Sequence, residues 1–431
     1  MWATAAALAA MLSLVFILLA VVMVNGLGVF WPSTVVEVTL ADGSKMLGER
    51  IRSQVNPDTG EWSTQFKTGN RELDPQRQDF RWIKDNDIRE TATPPEVVVL
   101  ERLEHGNFYG YRKQANGPNV ALFATATGQQ RSIATADIVR PYNPNAMGLM
   151  AKCGHYLAKI GELLWDNPRE ANTEGGLFPA IFGTVMLIFL MAAMCFPLGV
   201  LAGIYLGEYA KEGLLVRIVR IAVNNLAGIP SIVYGIFGLG FFVYGIGGQI
   251  DRWFFSAGVA AGTPTFGTGG ILWASLTLGL LTVPVVIVST EEALRSIPRG
   301  IREGSLALGA TKFQTLLRVL VPMASPGMMT GFILAMARAA GEVAPLMITG
   351  VVKIAPTMPV DGDFPFFHLD RKFMHLGFHI YDVGFQSPNV EASKPMVYVT
   401  TLLLLLIVLA MTSTAIYLRN KMRKFYQVRT I

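Results

Sequence analysis

Six stretches of this chain are apolar and long enough to cross a lipid bilayer, and they limit the possible folds more than any other feature. A helix needs roughly 20 apolar residues to cross the hydrocarbon core. No water is present there to satisfy backbone N–H and C=O groups, so each stretch should be helical. The sequence predicts an all-α polytopic membrane protein with six transmembrane helices. The stretches are residues 1–31, 175–207, 220–251, 271–289, 324–352 and 396–418.

The composition favours the same class. Hydrophobic residues make up 52% of the chain, charged residues make up 16%, and the mean hydropathy is +0.41. A soluble protein with one core is not this apolar. The net charge of +5 does not indicate a nucleic-acid partner, because basic residues in loops first set membrane topology. Cys153 and Cys195 lie in segments of different character, so we expect no structural disulfide.

Residues 1–31 are expected to form an uncleaved transmembrane helix. No charged residue precedes Glu37, so the basic n-region of a signal peptide is missing, and the apolar run is too long for one. The expected organisation then follows in five parts. They are helix 1 (1–31), a β-rich domain (32–173), a core with helices 2–5 (174–352), a loop (353–395) and helix 6 with a basic tail (396–431).

The polar region 32–173 is predicted to be a small β-rich domain inserted between helices 1 and 2. Val35–Leu40 alternates, Asp42-Gly43 offers a tight turn, and residues 45–51 can return as the partner strand. The domain should end in an amphipathic helix that packs on the domain or on the bilayer surface. Further strands are expected at 96–103, 108–113 and 119–127, and the helix at 146–165.

Basic residues on the short loops predict the orientation. Short loops rich in Lys and Arg stay in the cytoplasm, whereas long domains translocate largely regardless of charge. Both termini should therefore be cytoplasmic, with 32–173, 248–269 and 353–395 outside. The basic groups are Lys211, Arg217 and Arg220 before helix 3, the segment 291–323 before helix 5, and Arg419, Lys421, Arg423, Lys424 and Arg429 after helix 6.

The segment 291–323 contains a polar, basic stretch, Glu303 to Pro322. Its apolar residues recur at helical spacing until Gly309 interrupts the pattern. It predicts a helix, a turn and a second helix that lie against the membrane and present one protruding surface to a cytosolic partner.

This stretch resembles the EAA loop of ABC importer permeases. Its pattern is Glu-Ala-Ala, three residues, Gly, nine residues, Ile, one residue and Leu-Pro. The spacing is kept here, with small or branched residues at the Ala, Ile and Leu positions. In that family the loop is the coupling helix that enters a cleft of the ATPase; the alternative is a simple elbow between two helices. The matching residues are Glu303, Gly304, Ser305, Gly309, Val319, Val321 and Pro322.

Helix 5 carries Arg338 and Glu342, the only charges between Arg318 and Lys353. A charge at mid-bilayer costs roughly 2.5–3.5 kcal/mol on insertion scales, so the pair needs an explanation. One hypothesis is an ion pair that fixes helix packing. The other is a substrate pathway in which Arg338 meets an anion and Glu342 holds the arginine or takes part in gating, with a bend or break near Gly341 and Pro345.

In helix 3, Asn224 and Asn225 precede Gly228 and Pro230. Such residues serve close helix packing or a kinked helix that lines a pathway. Both interpretations remain open, and the two asparagines are candidate pathway residues.

Three stretches together resemble the PstA-type permease family of bacterial phosphate ABC importers. The resemblance covers most of residues 174–350 and implies the type I importer permease fold. It also implies a related second permease subunit (PstC-like), a homodimeric cytosolic ATPase (PstB-like), a periplasmic phosphate-binding protein (PstS-like) and phosphate as substrate. Arg338 and Glu342 match that family's Arg-Ala-x-Gly-Glu stretch, whereas the domain 32–173 departs from shorter members. The stretches are GGLFPAIFGTVMLIFL, NNLAGIPSIVYGIFGLGFFV and ARAAGEVAPLMITG.

Enzyme signatures are missing. No G-x-x-x-x-G-K-[ST] P-loop occurs, so ATP hydrolysis should belong to a separate chain, and no cofactor bound by this chain is expected. His368, His375 and His379 cluster, but HLGFH lacks the glutamate of a metalloprotease helix, and no metal site is predicted. The alternatives are a permease for sulfate or molybdate, an ion-coupled secondary anion carrier, and a membrane-anchored sensor built on 32–173.

Overall fold

The computed structural model describes residues 2–55, 60–70, 72, 79–113, 120–387 and 390–427. The predicted strand residue Asn119 and the basic residue Arg429 lie outside this range. The chain forms two compact units. The first comprises Met1–Phe178 and Asp382–Thr400, and the second comprises Pro179–Tyr381 and Thr401–Ile431.

The first unit begins with the apolar helix α1, Trp2–Gly28, and continues into an antiparallel sheet in the order β4-β3-β2-β1-β5. The predicted hairpin is confirmed, because β1 pairs with β2 around the turn at Asp42-Gly43. The strands are β1 Val35–Leu40, β2 Lys45–Val55, β3 Trp62–Lys67, β4 Phe80–Lys84 and β5 Ile88–Ala92.

A second antiparallel sheet follows in the order β10-β6-β7-β8-β9. Residues from both sheets share one buried cluster, so the two sheets form a single β-rich domain, as predicted. The cluster contains Val35, Leu47, Val97, Val99 and Tyr109. The strands are β6 Val97–Arg102, β7 Phe108–Arg112, β8 Val120–Ala124, β9 Gln130–Ala134 and β10 Ile138–Tyr142.

The predicted amphipathic helix is present as α2, Leu149–Trp165. Its buried residues are His155, Glu162 and Leu163, whereas Met150 and Leu157 are exposed. The side of α2 that packs on the domain is therefore largely polar. A short strand pair, β11 Pro168–Arg169 and β12 Glu174–Gly175, follows α2.

Among the described residues, six helical segments are long and apolar enough to span a membrane, which confirms the predicted number. They are Trp2–Gly28, Phe178–Tyr209, Ser231–Phe254, Ile271–Arg295, Lys312–Gly341 and Ser393–Lys424. Several contain a π-helical turn. The helices after α2 are α3 Phe178–Ile204, α4 Leu214–Leu226, α5 Ser231–Phe237, α6 Gly248–Phe254, α7 Ser256–Ala260, α8 Ile271–Arg295, α9 Arg299–Ala307, α10 Lys312–Thr315, α11 Val321–Gly341, α12 Ala344–Thr349, α13 Leu376–Tyr381 and α14 Val390–Gln427.

Helix α8 lies at the centre of the second unit, and 67% of its most apolar stretch is buried. It packs closely against α3 and α11 through glycines. A Cβ at Gly203 would lie 2.6 Å from Thr290 Cβ, and one at Gly331 would lie 1.7 Å from Ser289 Oγ. Small residues allow this backbone approach, which is typical of packed transmembrane helices.

In three spans the helix begins or ends at residues other than those predicted. The third span begins at Ser231 rather than near Arg220, because α4 is a separate helix that ends before Pro230. The fifth begins at Lys312, where Thr311 caps a helix that continues into α11, and it ends at Gly341 instead of reaching Val352. The fourth extends to Arg295, into the segment assigned to the coupling loop.

Candidate functional site

The charged pair of the fifth span lies where its helix breaks. Helix α11 ends at Gly341, and Glu342 follows in an extended conformation with φ −82° and ψ 129°. Arg338 Nε lies 3.6 Å from Glu342 Oε1. Helix α12 then starts at Ala344, with Pro345 in its first turn. The break expected near Gly341 and Pro345 is therefore present.

The pair does not join two helices, since both partners belong to one helix and its cap. Arg338 and Glu342 keep 33% and 21% of their side-chain surface exposed. Leu334, Ala337 and Gly341 lie on the same uncovered face of α11 and are exposed. The arrangement presents a guanidinium on an open helix face, with a carboxylate beside it.

Helix α5 lies close to this break. A Cβ at Gly235 would be 2.8 Å from Pro345 Cα, so α5 and α12 are in direct backbone contact there. Its neighbour Tyr234, also in α5, donates a 2.6 Å hydrogen bond from its hydroxyl to the Leu226 carbonyl. Helix α5 therefore contacts α12, which follows the break, and the end of α4.

The structure places Asn224 and Asn225 on α4, outside the six spans, and both side chains are exposed. Asn224 lines a cavity of about 210 Å³ that also contacts Arg220, Glu291 and Arg295. Arg338 and Glu342 are not among its lining residues. The four predicted pathway residues therefore fall in two places.

Arg220 and Glu291 were not singled out as a pair from the sequence. Arg220 Nε lies 2.9 Å from Glu291 Oε1, and its Nη2 donates to the Leu206 carbonyl at 3.1 Å. These contacts tie α4 to the ends of the second and fourth spans. Two adjacent acidic residues, Glu291 and Glu292, at the end of an apolar stretch were the available signal.

The segment resembling an EAA loop forms the predicted helix and turn. Helix α9 contains Glu303, Gly304 and Ser305. Gly309 follows with φ +86°, a backbone conformation that residues other than Gly and Asn rarely adopt. Ser305 Oγ lies 2.9 Å from Thr315 Oγ1 across the turn. The second helix is the start of the fifth span, and Pro322 lies within its continuation, at the beginning of α11.

The turn presents an apolar surface to solvent. Leu308 is 90% exposed at its tip, and Leu306 and Phe313 on either side are exposed as well. Glu303 and Gly304 are also exposed. The exposed tip lies in the segment where the sequence predicts a protruding surface, and its contact with a partner stays a prediction.

Arg302 holds α9 in place, a role that the sequence did not indicate. Its Nη2 donates to Glu208 Oε1 at 2.6 Å and to the Leu294 carbonyl at 2.6 Å, and its Nη1 donates to the Ile297 carbonyl at 2.6 Å. Glu208 lies in the π-helical turn that ends the second span. One side chain thus fastens the exposed turn to two spans.

The three clustered histidines have different surroundings. His368 Nε2 lies 3.0 Å from Asp361 Oδ1, and Arg371 binds the other oxygen of that carboxylate. His375 Nδ1 accepts from the Gly377 amide at 3.1 Å, and His379 is buried in α13. In the described part of the chain, no group of three or more His, Cys, Asp or Glu side chains is placed to hold a metal ion.

The chain is similar in sequence to proteins named as transport permeases. The chain is 34% identical over 242 residues to the probable phosphate transport system permease protein PstA of Methanocaldococcus jannaschii, covering 55% of this chain and 74% of that protein. It is 37% identical over 185 residues to PstA of Yersinia pestis, covering 43% of this chain and 56% of that one. It is 35% identical to the probable ABC transporter permease protein YqgH of Bacillus subtilis, covering 47% and 61%.

The chain therefore spans between half and three quarters of these relatives' lengths. Residues 199–424 match the family described as the binding-protein-dependent transport system inner membrane component, which covers more than half of the chain. The matched region includes the segment 291–323 and the break at Glu342. The chain belongs to this family of inner membrane components of binding-protein-dependent transport systems.

Proposed function

We propose that this chain is the membrane-spanning permease subunit of an ATP-driven importer that moves inorganic phosphate into the cell by alternating access. One observation carries the proposal: Arg338 presents its guanidinium on an uncovered face of α11, at the break before Glu342. A planar guanidinium suits recognition of an oxyanion. The relatives named for phosphate transport support phosphate over sulfate or molybdate.

The location of Arg338 suits transit of the anion. A substrate that must leave again needs a site that binds it weakly. Glu342, 3.6 Å from Arg338, competes with the anion for the guanidinium and keeps that site weak. The uncovered face of α11 is where a second, PstC-like permease subunit would complete the pathway. Asn224 and Asn225, on α4, are proposed to line the same pathway nearer its cytoplasmic end.

ATP hydrolysis is assigned to a separate, homodimeric PstB-like ATPase, and no cofactor is assigned to this chain. The apolar tip at Leu308 is proposed to dock in the ATPase, with Glu303, Gly304, Ser305, Gly309 and Pro322 as the coupling residues. Arg302 would transmit the movement, since it links the turn to the second span through Glu208.

The protein is a multi-pass inner membrane protein by its family and its six apolar helices. We propose that both termini are cytoplasmic and that the β-rich domain is extracytoplasmic, where a PstS-like binding protein delivers phosphate. The basic coupling segment supports this orientation by the positive-inside rule.

The test is phosphate uptake into vesicles that contain the chain, its candidate partners and enclosed or supplied ATP. We expect uptake of labelled phosphate that depends on ATP, persists when the proton gradient is collapsed, and is not inhibited by excess sulfate or molybdate. Uptake that survives ATP depletion and stops with the proton gradient would instead identify an ion-coupled carrier. Competition by sulfate or molybdate would reassign the substrate.

A further inference from the structure

Helix α2 exposes its apolar side and packs its polar side on the β-rich domain. At 3.6 residues per turn, successive residues are about 100° apart, so Leu149, Cys153 and Leu157 share one side. His155, Lys159 and Glu162 occupy the opposite side. The apolar side is exposed: Met150, which adjoins it, keeps 88% of its surface, and Leu149 and Leu157 keep 70% and 67%.

The polar side is the one that packs on the β-rich domain. Lys159 Nζ lies 2.9 Å from Glu101 Oε2 of β6 and 3.2 Å from Glu162 Oε2. Arg140 Nη1 of β10 lies 3.3 Å from Glu162 Oε2, and Arg169 also pairs with Glu162. The polar side is therefore fully engaged, and a helix surrounded by water would bury the other side instead.

Two aromatic contacts fix the level of α2 relative to the membrane spans. Tyr156 Oη donates to the Leu27 carbonyl at 3.0 Å, in the last turn of the first span, and its ring lies 6.1 Å from that of Trp31. Trp165 lies 5.9 Å, between ring centroids, from Phe178, the first residue of the second span. Tyr and Trp are enriched where a span meets the headgroups.

These two contacts set the direction of the helix axis. The end of the first span and the start of the second lie on the same side of the membrane, because one helix leaves it and the next re-enters it. Tyr156 and Trp165 are about 13 Å apart along α2 at 1.5 Å per residue. Both points are at the membrane boundary, so the axis of α2 runs along the bilayer surface.

We propose that α2 is an interfacial helix whose apolar side, formed by Leu149, Met150, Cys153 and Leu157, is embedded in the lipid at the boundary between headgroups and acyl chains. The occupant of this surface is phospholipid, not a protein. The helix anchors the β-rich domain to the bilayer through lipid contacts, in addition to its covalent links to the first two spans.

Cys153 provides the probe, because it is exposed on the apolar side and the only other cysteine, Cys195, is buried. The full chain carrying Cys195→Ala is labelled with a nitroxide at Cys153 and placed in phospholipid nanodiscs. Power saturation in electron paramagnetic resonance then measures how often the nitroxide collides with oxygen, which partitions into hydrocarbon, and how often it collides with a water-soluble nickel chelate. If Cys195→Ala lowers the yield of protein, the wild-type chain is labelled instead, because its buried Cys195 should react slowly with the label.

We expect oxygen to be favoured over nickel by several-fold at Cys153. Labels at Met150→Cys and Leu157→Cys, with Cys153→Ser, should behave alike. Ala158→Cys, exposed on the flank of α2, and Gln129→Cys, exposed on the β-rich domain, should favour nickel. Nickel access at Cys153 equal to that at Gln129→Cys would overturn the proposal. Exclusion of both reagents from Cys153 would also overturn it, because that result indicates a protein partner.

Discussion

Arg302 donates hydrogen bonds from two of its nitrogens to Glu208 and so joins helix α9 to the end of the second span. Arg302 Nη2 and Nε lie 2.6 Å and 3.2 Å from Glu208 Oε1. Both side chains are mostly covered, at 21% and 16% exposure. Under the proposed function, a movement of α9 would be transmitted through this pair to the second span.

Replacing Arg302 with Ala should uncouple ATP hydrolysis from transport. The change removes the hydrogen bonds that the guanidinium donates to Glu208 and to the Leu294 and Ile297 carbonyls, and hydrogen bonds to charged groups contribute about 1.5–3 kcal/mol to stability. We expect phosphate uptake by vesicles to fall about tenfold or more, while the ATPase activity of the complex persists. The measurement is phosphate transported per ATP hydrolysed.

Arg299→Ala is the matched control for that change. Arg299 lies in the same helix α9 and is exposed. The Arg299→Ala variant should keep the amount of phosphate transported per ATP hydrolysed within about twofold of wild type, because an exposed charge contributes little to stability. A ratio that falls equally in both variants would mean that general basic charge, not the Glu208 contact, matters.

Gly309 should tolerate asparagine and not valine. Its φ of +86° is strained for a β-branched residue, whereas nothing lies within 4 Å of an added Cβ, so the effect is conformational only. Left-handed backbone costs roughly 1–2 kcal/mol per residue for ordinary side chains. We expect Gly309→Val to lower coupled uptake severalfold and Gly309→Asn to stay near wild type. Equal behaviour of the two variants would show that the turn geometry is not required.

Features set by local sequence were predictable. Six apolar runs predicted the six spans, and the Asp42-Gly43 turn predicted the first hairpin. The strands that escaped prediction were β3 and four edge strands, β4, β5, β9 and β10. Edge strands carry charged residues and bury few side chains, as in the Ile88–Ala92 strand, so their alternation is weak.

Contacts between distant residues were not predictable. Arg302 and Glu208 are 94 residues apart in sequence, and a single sequence holds no signal that pairs them. The helix α4 was merged with the third span because its apolar residues run on toward Pro230, although its polar residues Arg217 and Arg220 recur at helical spacing. The break at Glu342 was predictable, because Gly341 precedes this charged residue and Pro345 follows it.

Arg338→Gln should abolish most phosphate uptake while leaving ATPase activity intact. If the guanidinium meets the anion, its loss removes a charged hydrogen bond, which corresponds to a decrease of about 10- to 100-fold. Arg338→Lys should be intermediate, because lysine keeps the charge and loses the planar fork. Uptake kinetics over a range of phosphate concentrations would measure the effect.

Leu334→Ala, on the same exposed face of α11, is the control for a general disturbance of that face. It should retain at least about half of wild-type uptake, because the change keeps Arg338 and an apolar residue on that face. Full uptake in Arg338→Gln would leave the pair as a local ion pair at the helix end.

His375 should make the protein less stable in acid. Its ring is 1% exposed, and burial lowers its pKa from 6.5 to about 4. The Nε2 atom has no hydrogen-bond partner among the described residues, so a charged ring would be poorly accommodated. Between these two pKa values the unfolded chain binds a proton that the folded chain does not, and folding stability therefore decreases as pH falls.

The expected decrease from this group is about 2 kcal/mol between pH 7.5 and pH 5, at about 1.4 kcal/mol per unit below 6.5. The variant His375→Asn keeps an acceptor for the Gly377 amide and removes the titration. Thermal unfolding of the detergent-solubilised chain at both pH values should show a smaller acid loss in this variant than in wild type. His105→Asn removes an exposed histidine at φ 71°, which asparagine tolerates, and should leave the pH slope unchanged. If the stability of His375→Asn decreased with falling pH as steeply as that of wild type, the acid sensitivity would belong to other groups.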